Sequence, residues 1–183
     1  DTESFAEALR RSLRQDPDVI VVGEMRDLET MTAALTLAET GHLTFATLHT
    51  SDAVQSVSRI ISAYPAMHQA QVRVQLASTL RVVMSQKLVP WANGKGRSLA
   101  AEILVATPSV CAMIREEKTH QMRTAMQTGG EHGMQTLNQS LLSLLNRRII
   151  DRATALEYSE DKALLLEELE HHTGQTTKRK GIR

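Results

Sequence analysis

The chain has 183 residues, of which 42% are hydrophobic, so it is long and apolar enough to bury the core of a globular protein. Its 21 basic residues balance 21 acidic residues, which argues against a dedicated nucleic-acid binder, and its single cysteine, Cys111, excludes an internal disulfide. No apolar run is long enough to insert into a membrane and no signal-peptide pattern is present, so we expect a soluble, cytosolic protein.

The first predicted element is an amphipathic helix over residues 4–15. Ser4 and Glu7 have the spacing of a capping box, and the apolar residues that follow recur at helical intervals. The chain begins at Asp1 rather than methionine, with almost no leader before this helix. We therefore expect the chain to be a piece of a longer protein.

Strands and helices alternate from residue 19 to about residue 106. The continuous β-branched run at residues 19–22 is typical of a buried strand in a parallel sheet. The other predicted elements are a helix from Asp27 to Thr40, a strand at 43–48, a helix from Asp52 to about Ala63, a helix at 65–79, and strands at 81–90 and 98–105 joined by a turn at 93–96. This order predicts an α/β domain around a parallel sheet.

The remainder of the chain is predicted to be helical. The predicted helices are 108–117, 119–128, 134–148, 151–158 and 160–171. Residues 173–183 contain four basic residues and no acidic ones, which predicts a disordered tail. We therefore divide the chain into an α/β part at 1–106, a helical subdomain at 107–172 and a tail at 173–183.

A glycine and a glutamate follow the first predicted strand. Gly23 and Glu24 come directly after Val22, at the carboxyl edge of the sheet where α/β folds bind ligands. A glycine there lets a phosphate or a metal-bound water approach the backbone, and the acid can orient and deprotonate an attacking water. The pattern suggests a nucleotide-hydrolysing site, with a solvated acid at a strand end as the alternative.

A histidine flanked by hydroxyl groups follows the next strand. His49 lies between Thr47 and Thr50, at the same predicted edge, where such a cluster can donate hydrogen bonds to a terminal phosphate. The alternative is a loop histidine beside an ordinary helix cap. His42 lies at the opposite end of the strand and no third ligand has metal-site spacing, so we do not expect a shared metal.

Taken together, these segments resemble a known family. Residues 3–172 resemble the C-terminal half of the pilus-retraction branch of the secretion ATPase (GspE/PilT) family. The matching segments are 4–10, 16–30, 38–43, 47–50, 85–88, 114–116, 118–121 and 127–129. The resemblance implies the C-terminal part of a RecA-like P-loop ATPase core, with a parallel sheet flanked by helices, followed by a small helical subdomain.

The resemblance implies a role for the glycine and the glutamate. Gly23 and Glu24 match the family's Walker B box, so Glu24 is the implied catalytic acid, acting through water bound to Mg²⁺. The family has a glycine where many ATPases have a metal-binding aspartate, and Gly23 follows the family. No direct protein ligand to the metal is therefore implied.

Further residues match positions around the nucleotide. The segment from Thr47 to Thr50 matches the family's His box, so His49 is the implied sensor of the γ-phosphate. Arg26 and Arg59 stand where the family has arginines near the site. For Arg26 the alternative is a salt bridge at the start of a helix.

The sequence contains no P-loop. That loop needs Gly-x-x-x-x-Gly-Lys-Ser/Thr, because backbone amides and the lysine hold the β- and γ-phosphates. The single Gly-Lys pair, Gly94-Lys95, is followed by Gly96, and Val89 stands where the first glycine would be. The family's Asp box and its PAS-like domain, which supplies arginines between subunits, would precede Asp1. We therefore expect this chain alone to be inactive.

The predicted helix at 108–117 matches a family segment that reads Ala-Ile-Arg-Asn-Leu-Ile-Arg-Glu. Ile114, Arg115 and Glu116 match its end, whereas Cys111 and Ala112 replace an arginine and an asparagine. The resemblance implies a helix that couples hydrolysis to retraction. The alternative is an ordinary amphipathic packing helix.

The resemblance as a whole implies the ATP-hydrolysing motor of type IV pilus retraction, using ATP and Mg²⁺. It implies a cytoplasmic homo-hexamer that associates with the inner membrane through a pilus platform protein. Two alternatives stay open. One is a non-catalytic modulator that co-assembles with a complete pilus ATPase, and the other is a related pilus assembly or type II secretion ATPase.

Overall fold

The computed structural model describes residue 11 and residues 17–170. The helix predicted at 4–15 (apart from Arg11, which is helical) and the tail predicted at 173–183 lie outside the described residues. The elements are β1 (Val19–Val22), α1 (Leu28–Glu39), β2 (Leu43–Ala46), α2 (Ala53–Ser62), α3 (Ala66–Thr79), β3 (Val82–Pro90), β4 (Arg97–Val105), α4 (Pro108–Arg115), α5 (Met122–Thr128), α6 (Leu137–Asn146) and α7 (Arg152–Tyr158). Residues 162–170 are also helical.

The parallel pair β1 and β2 directly precedes the predicted site residues, Gly23 and Glu24 after β1 and Thr47 to Thr50 after β2. The strands end together, with Val22 opposite Ala46, and α1 connects them. Asp27 caps the start of α1 because its carboxylate accepts the N–H of Thr30 at 2.8 Å. Gly41, with a φ of +98°, follows its end, where a side chain would be strained. Both limits confirm the predicted helix.

The prediction that β1 is a buried strand is correct for one face of the strand and wrong for the other within the described residues. Ile20 and Val22 are buried against α1, whereas Val19 and Val21 are 51% and 71% exposed. Successive strand side chains point to opposite faces, and within residues 17–170 a helix covers one face of this sheet. The apolar run therefore has one packed face and one open face.

The hairpin of β3 and β4 confirms the predicted antiparallel pair and its turn. Its tip closes around Trp91, whose backbone N–H donates to the carbonyl of Gly96 at 2.9 Å. The indole Nε1 donates to Ser98 Oγ at 2.7 Å. A Cβ placed on Gly96 would lie 2.6 to 2.9 Å from the Trp91 ring, so the close approach of ring and backbone requires glycine.

We expect Gly96→Ala to displace Trp91 from the hairpin tip. The variant should lose the indole hydrogen bond and about 1 kcal/mol of stability, because the half-exposed ring can move into solvent. Trp91 is the single tryptophan of the chain, so its fluorescence emission should shift to longer wavelength. Gly130→Ala is the control, since a Cβ there meets nothing within 4 Å. An unshifted Gly96→Ala spectrum would contradict the packing described.

Several helices after residue 106 begin or end at other residues than predicted. α4 stops at Arg115, and Glu117 adopts a left-handed φ of 62°. The helix predicted at 119–128 begins as a 3₁₀ turn at Thr119–Gln121 before α5. α6 starts at Leu137 rather than 134, because Gln135 pairs with Ile103 of β4 through two backbone hydrogen bonds.

The described residues form three hydrophobic clusters: the smallest packs β1 against α1, and two larger cores hold the rest of the elements together. The larger core spans the α/β elements and the helices after residue 106, and includes Leu35, Val57, Ile60, Leu76, Leu104, Val110, Ile114, Met122 and Met126. The second lies between the hairpin and the last helices, and includes Val89, Ala100, Leu141, Ile150, Ala155 and Leu165. The division at residue 106 stays a prediction. None of the helices in the described part of the chain is long and apolar enough to cross a membrane.

Candidate functional site

The segments that follow β1 and β2 are held side by side at the carboxyl edge of the sheet. The hydroxyl of Thr47 donates to the carbonyl of Gly23, and the N–H of Met25 donates to the carbonyl of Thr47 at 3.0 Å. These hydrogen bonds extend the strand pairing beyond Val22 and Ala46. The residues after Gly23 and after Thr47 are therefore placed next to one another.

Glu24 lies at the centre of this edge, between the side chains of Arg26 and His49. Its Oε1 is 2.7 Å from Nε2 of His49, and its Oε2 is 2.6 Å from Nε of Arg26. The side chain of Glu24 is 22% exposed, whereas those of Arg26 and His49 are 77% and 81% exposed. The acid predicted from β1 and the histidine predicted from β2 are thus in direct contact, and Arg26 forms its salt bridge with that same acid.

These residues line a cleft of about 740 Å³. The cleft is also lined by Arg59, on α2, and by Thr50, which lies between β2 and α2. The hydroxyl of Thr50 is 2.6 Å from that of Ser56, which in turn donates to the carbonyl of Asp52. The lining is Glu24, Met25, Arg26, Leu48, His49, Thr50, Gln55, Ser58, Arg59 and Ser62.

The chemistry of this lining suits an anionic ligand beside a single carboxylate. Arginine, histidine and hydroxyl groups are hydrogen-bond donors that phosphate oxygens accept. Among residues 17–170 there is no group of three His, Cys, Asp or Glu that could hold a metal ion directly. The lining therefore fits a ligand that carries phosphate groups, with Glu24 beside it.

Other predicted residues lie elsewhere. His42 is at the start of β2, where its Nδ1 is 3.0 Å from Thr40 Oγ1, away from the cleft. Ile114 is fully buried in the larger core, Arg115 is exposed, and Glu116 pairs with Lys118 at 2.8 Å. The predicted coupling helix is thus not part of the cleft lining.

Sequence reasoning missed one buried acid that contacts the cleft wall. Glu102, on β4, is 4% exposed, and its Oε1 accepts the N–H of Ala53 at the start of α2 at 2.8 Å. Burial raises the pKa of Glu102, the Ala53 hydrogen bond opposes this rise, and the charges of Asp52 and Glu160 reinforce it. The available signal was an acid inside the apolar run of residues 99–105.

We expect Glu102→Gln to gain stability relative to the unaltered chain as pH rises. Because the folded-state pKa of Glu102 is raised, its favourable contribution is complete below the ordinary carboxyl pKa and is lost as pH rises through the raised value. Glutamine keeps an oxygen for the Ala53 N–H and has no charge to bury. Urea unfolding from about pH 3 to about pH 8 measures the difference.

Glu116→Gln is a control of opposite sign. The hydrogen bond and charge of Lys118 lower the pKa of Glu116, so its contribution is present above the ordinary pKa and is lost as pH falls. The stability of this variant should therefore fall relative to that of the unaltered chain as pH rises. Equal slopes for the two variants would contradict the buried environment of Glu102.

Comparison with known proteins shows which family this chain matches and which proteins it is similar to. A model of the family described as type II/IV secretion system protein matches residues 2–181. The type IV pilus retraction ATPase PilT of Pseudomonas aeruginosa is 50% identical over 157 residues, which cover 86% of this chain and 45% of that protein. A twitching motility protein of Neisseria gonorrhoeae is 51% identical over 149 residues, covering 81% of this chain and 40% of that protein.

A solved structure shows the same architecture. A crystal structure of the pilus retraction motor PilT with bound ADP matches with a TM-score of 0.80 and 47% identity, covering 88% of this chain and 45% of that one. The likeness confirms the predicted fold, the C-terminal part of an α/β RecA-like ATPase core. The chain spans less than half the length of each of these relatives.

Proposed function

Because the chain belongs to the type II/IV secretion system protein family, we propose that it is the C-terminal part of an ATP-hydrolysing motor for type IV pilus retraction. The observation that carries the proposal is the contact of Glu24 with His49 at the carboxyl edge of β1 and β2. Two segments far apart in the chain thus supply an acid and a hydrogen-bond donor to one cleft. The identity to a pilus retraction ATPase and a twitching motility protein supports the pilus as the setting.

In this proposal Glu24 is the catalytic acid–base residue. A carboxylate that is 22% exposed at a cleft edge can accept a proton from water and orient that water towards a terminal phosphate. The backbone at Gly23 leaves open space beside the acid, since a Cβ there would meet nothing within 4 Å. The water can therefore approach from the side of the strand end.

The donors around Glu24 bind the phosphates in this proposal. His49 contacts the γ-phosphate and reports its presence, and Arg26, Arg59 and Thr50 add hydrogen-bond donors at the cleft. Thr47 acts indirectly, because its hydroxyl donates to the carbonyl of Gly23 and so holds the two site segments together. Mg²⁺ bound with ATP would neutralise part of the negative charge of the phosphates. A phosphate that draws His49 or Arg26 towards itself loosens that residue's pairing with Glu24, which makes the acid more available to water.

The motor proposal includes a larger assembly. We propose a cytoplasmic homo-hexamer that acts on an inner-membrane pilus platform protein, with the segment of Ile114, Arg115 and Glu116 transmitting movement from the cleft. α4, which carries this segment, shares its core with α2, the helix that carries Arg59. That packing supports a mechanical connection between the cleft and the helical part.

The proposal is tested by phosphate release from ATP. The complete product of the gene that encodes this chain should release phosphate when Mg²⁺ is present, and chelation of the metal should abolish the release. In a cell, deletion of the gene should leave pili extended and abolish twitching. A complete product that releases no phosphate would favour the modulator, and loss of pili on deletion would favour an assembly motor.

A further inference from the structure

Glu102 is an acid in a position where an apolar residue would pack. It is 4% exposed on β4, between Ala101 and Ile103, and Leu104 on the same face is fully buried. Burying a carboxylate is unfavourable unless hydrogen bonds compensate for the lost water. The hydrogen bond that Glu102 makes must therefore compensate for the burial of its carboxylate.

That contact is with the helix that forms one wall of the cleft. The first N–H groups of a helix have no partner within the helix. In α2, Asp52 accepts the N–H of Gln55 at 2.7 Å, and Glu102, 49 residues away in the chain, accepts the N–H of Ala53 at 2.8 Å. One cap is therefore local, whereas the other ties α2 to the hairpin.

A second hydrogen bond ties the same loop to the other strand of the hairpin. Ser85, on β3, lies directly opposite Glu102 in the strand register. Its hydroxyl donates to the carbonyl of Ser51 at 2.7 Å. The pair Ser85–Glu102 therefore holds the chain at Ser51 and at Ala53, two residues apart and immediately after His49 and Thr50.

We infer that Glu102, together with Ser85, is a positioning residue that sets the place of His49 and Arg59 in the cleft. His49 precedes the two held residues, and Arg59 follows them on the same helix. The inference rests on the proposed function, because it concerns how this cleft is made ready for phosphate. Small displacements of a catalytic or binding group have large effects on rate: about 1 Å can cost about a hundredfold.

Four variants of the complete gene product test the inference. Glu102→Leu removes the acceptor but fills the space, and Glu102→Gln keeps an oxygen for Ala53. Ser85→Ala removes the second hydrogen bond. Ser98→Ala is the matched control, because Ser98 is also a hairpin serine with one side-chain hydrogen bond, but its partner is Trp91 at the far end.

The first readout is the kinetics of MgATP hydrolysis. We expect kcat to fall at least about tenfold in Glu102→Leu and a few-fold in Ser85→Ala, with KM changed less than about threefold. Glu102→Gln should keep most of kcat, and Ser98→Ala should keep all of it. Adding Glu102→Leu to His49→Ala should cause a smaller further loss than Glu102→Leu causes alone, because the part of its effect that passes through His49 is already lost.

The second readout does not depend on activity. Hydrogen–deuterium exchange of residues 48–56 should speed up in Glu102→Leu and Ser85→Ala, and should be unchanged in Ser98→Ala and nearly unchanged in Glu102→Gln. Should Glu102→Leu fail to fold, Ser85→Ala carries the same test with a smaller change of the core.

The two proposals can fail separately. Unchanged exchange at 48–56 in both Glu102→Leu and Ser85→Ala would overturn the positioning inference whatever the activity. Faster exchange with unchanged kcat would also overturn it, since the tie would then be structural. If the unaltered protein shows no Mg²⁺-dependent ATP hydrolysis, the proposed function is overturned. The positioning role is then overturned as well, even if hydrogen exchange shows that Glu102 and Ser85 hold residues 51–53.

Discussion

Glu24→Gln should lower the rate of ATP hydrolysis at least about a hundredfold, because a positioned general base contributes about 10²- to 10⁴-fold. Glutamine has nearly the same shape, but its one amide oxygen replaces only one of the two acceptor oxygens that Arg26 and His49 contact at 2.6 Å and 2.7 Å. It cannot accept the proton of an attacking water. The rate of phosphate release by the complete gene product, at saturating MgATP, measures the effect.

The control for Glu24→Gln is Glu39→Gln. Glu39 ends α1 at the other end of the sheet, and its Oε2 accepts a hydrogen bond from Gln75 at 2.8 Å. This variant should hydrolyse ATP at the rate of the unaltered protein. A similar loss in both variants would point to a general effect of removing charge, and a full rate in Glu24→Gln would remove Glu24 from catalysis.

Ile114→Ala should destabilise the chain by about 2–5 kcal/mol, the cost of removing a large buried aliphatic side chain. Ile114 is fully buried on α4, in the core that also holds Met122 and Met126. The cavity would lie inside this core, where Met122 and Met126 are themselves fully buried and side chains cannot collapse fully into it. Urea unfolding followed by circular dichroism measures the change.

The neighbouring residue is the matched control for this substitution. Arg115 is exposed on the same helix, so Arg115→Ala should change stability by less than about 0.5 kcal/mol. If Arg115 belongs to a coupling segment, its loss should reduce pilus retraction while ATP hydrolysis stays normal. Equal stability of the two variants would contradict the core assigned to Ile114.

The meeting of Glu24 and His49 could be predicted from the sequence because two physical rules act together. Parallel strands end at the same edge of a sheet, and short βα connections place polar residues directly after those ends. Each residue alone has an ordinary explanation. Their shared edge can be predicted only once both strands are recognised, and the structure shows the contact itself, at 2.7 Å.

The tie between Glu102 and Ala53 could not be predicted in the same way. The two residues are 49 positions apart, and their contact depends on how the hairpin packs against α2. Local periodicity carries no information on that packing. The open face of β1 differs from the prediction for a related reason. The run of β-branched residues indicates apolar surroundings, whereas no described residue covers Val19 and Val21.

A protease should find no easily cut linker near residue 106. The backbone N–H groups of Ala106 and Thr107 both donate to carbonyls, at 2.9 Å and 2.8 Å, so the segment is held in place rather than looped out. Cleavage requires a stretch of chain to unfold locally and enter the protease. Opening this stretch would pull Leu104 and Val110 out of a shared core, so limited digestion should leave the α/β and helical parts joined in one fragment.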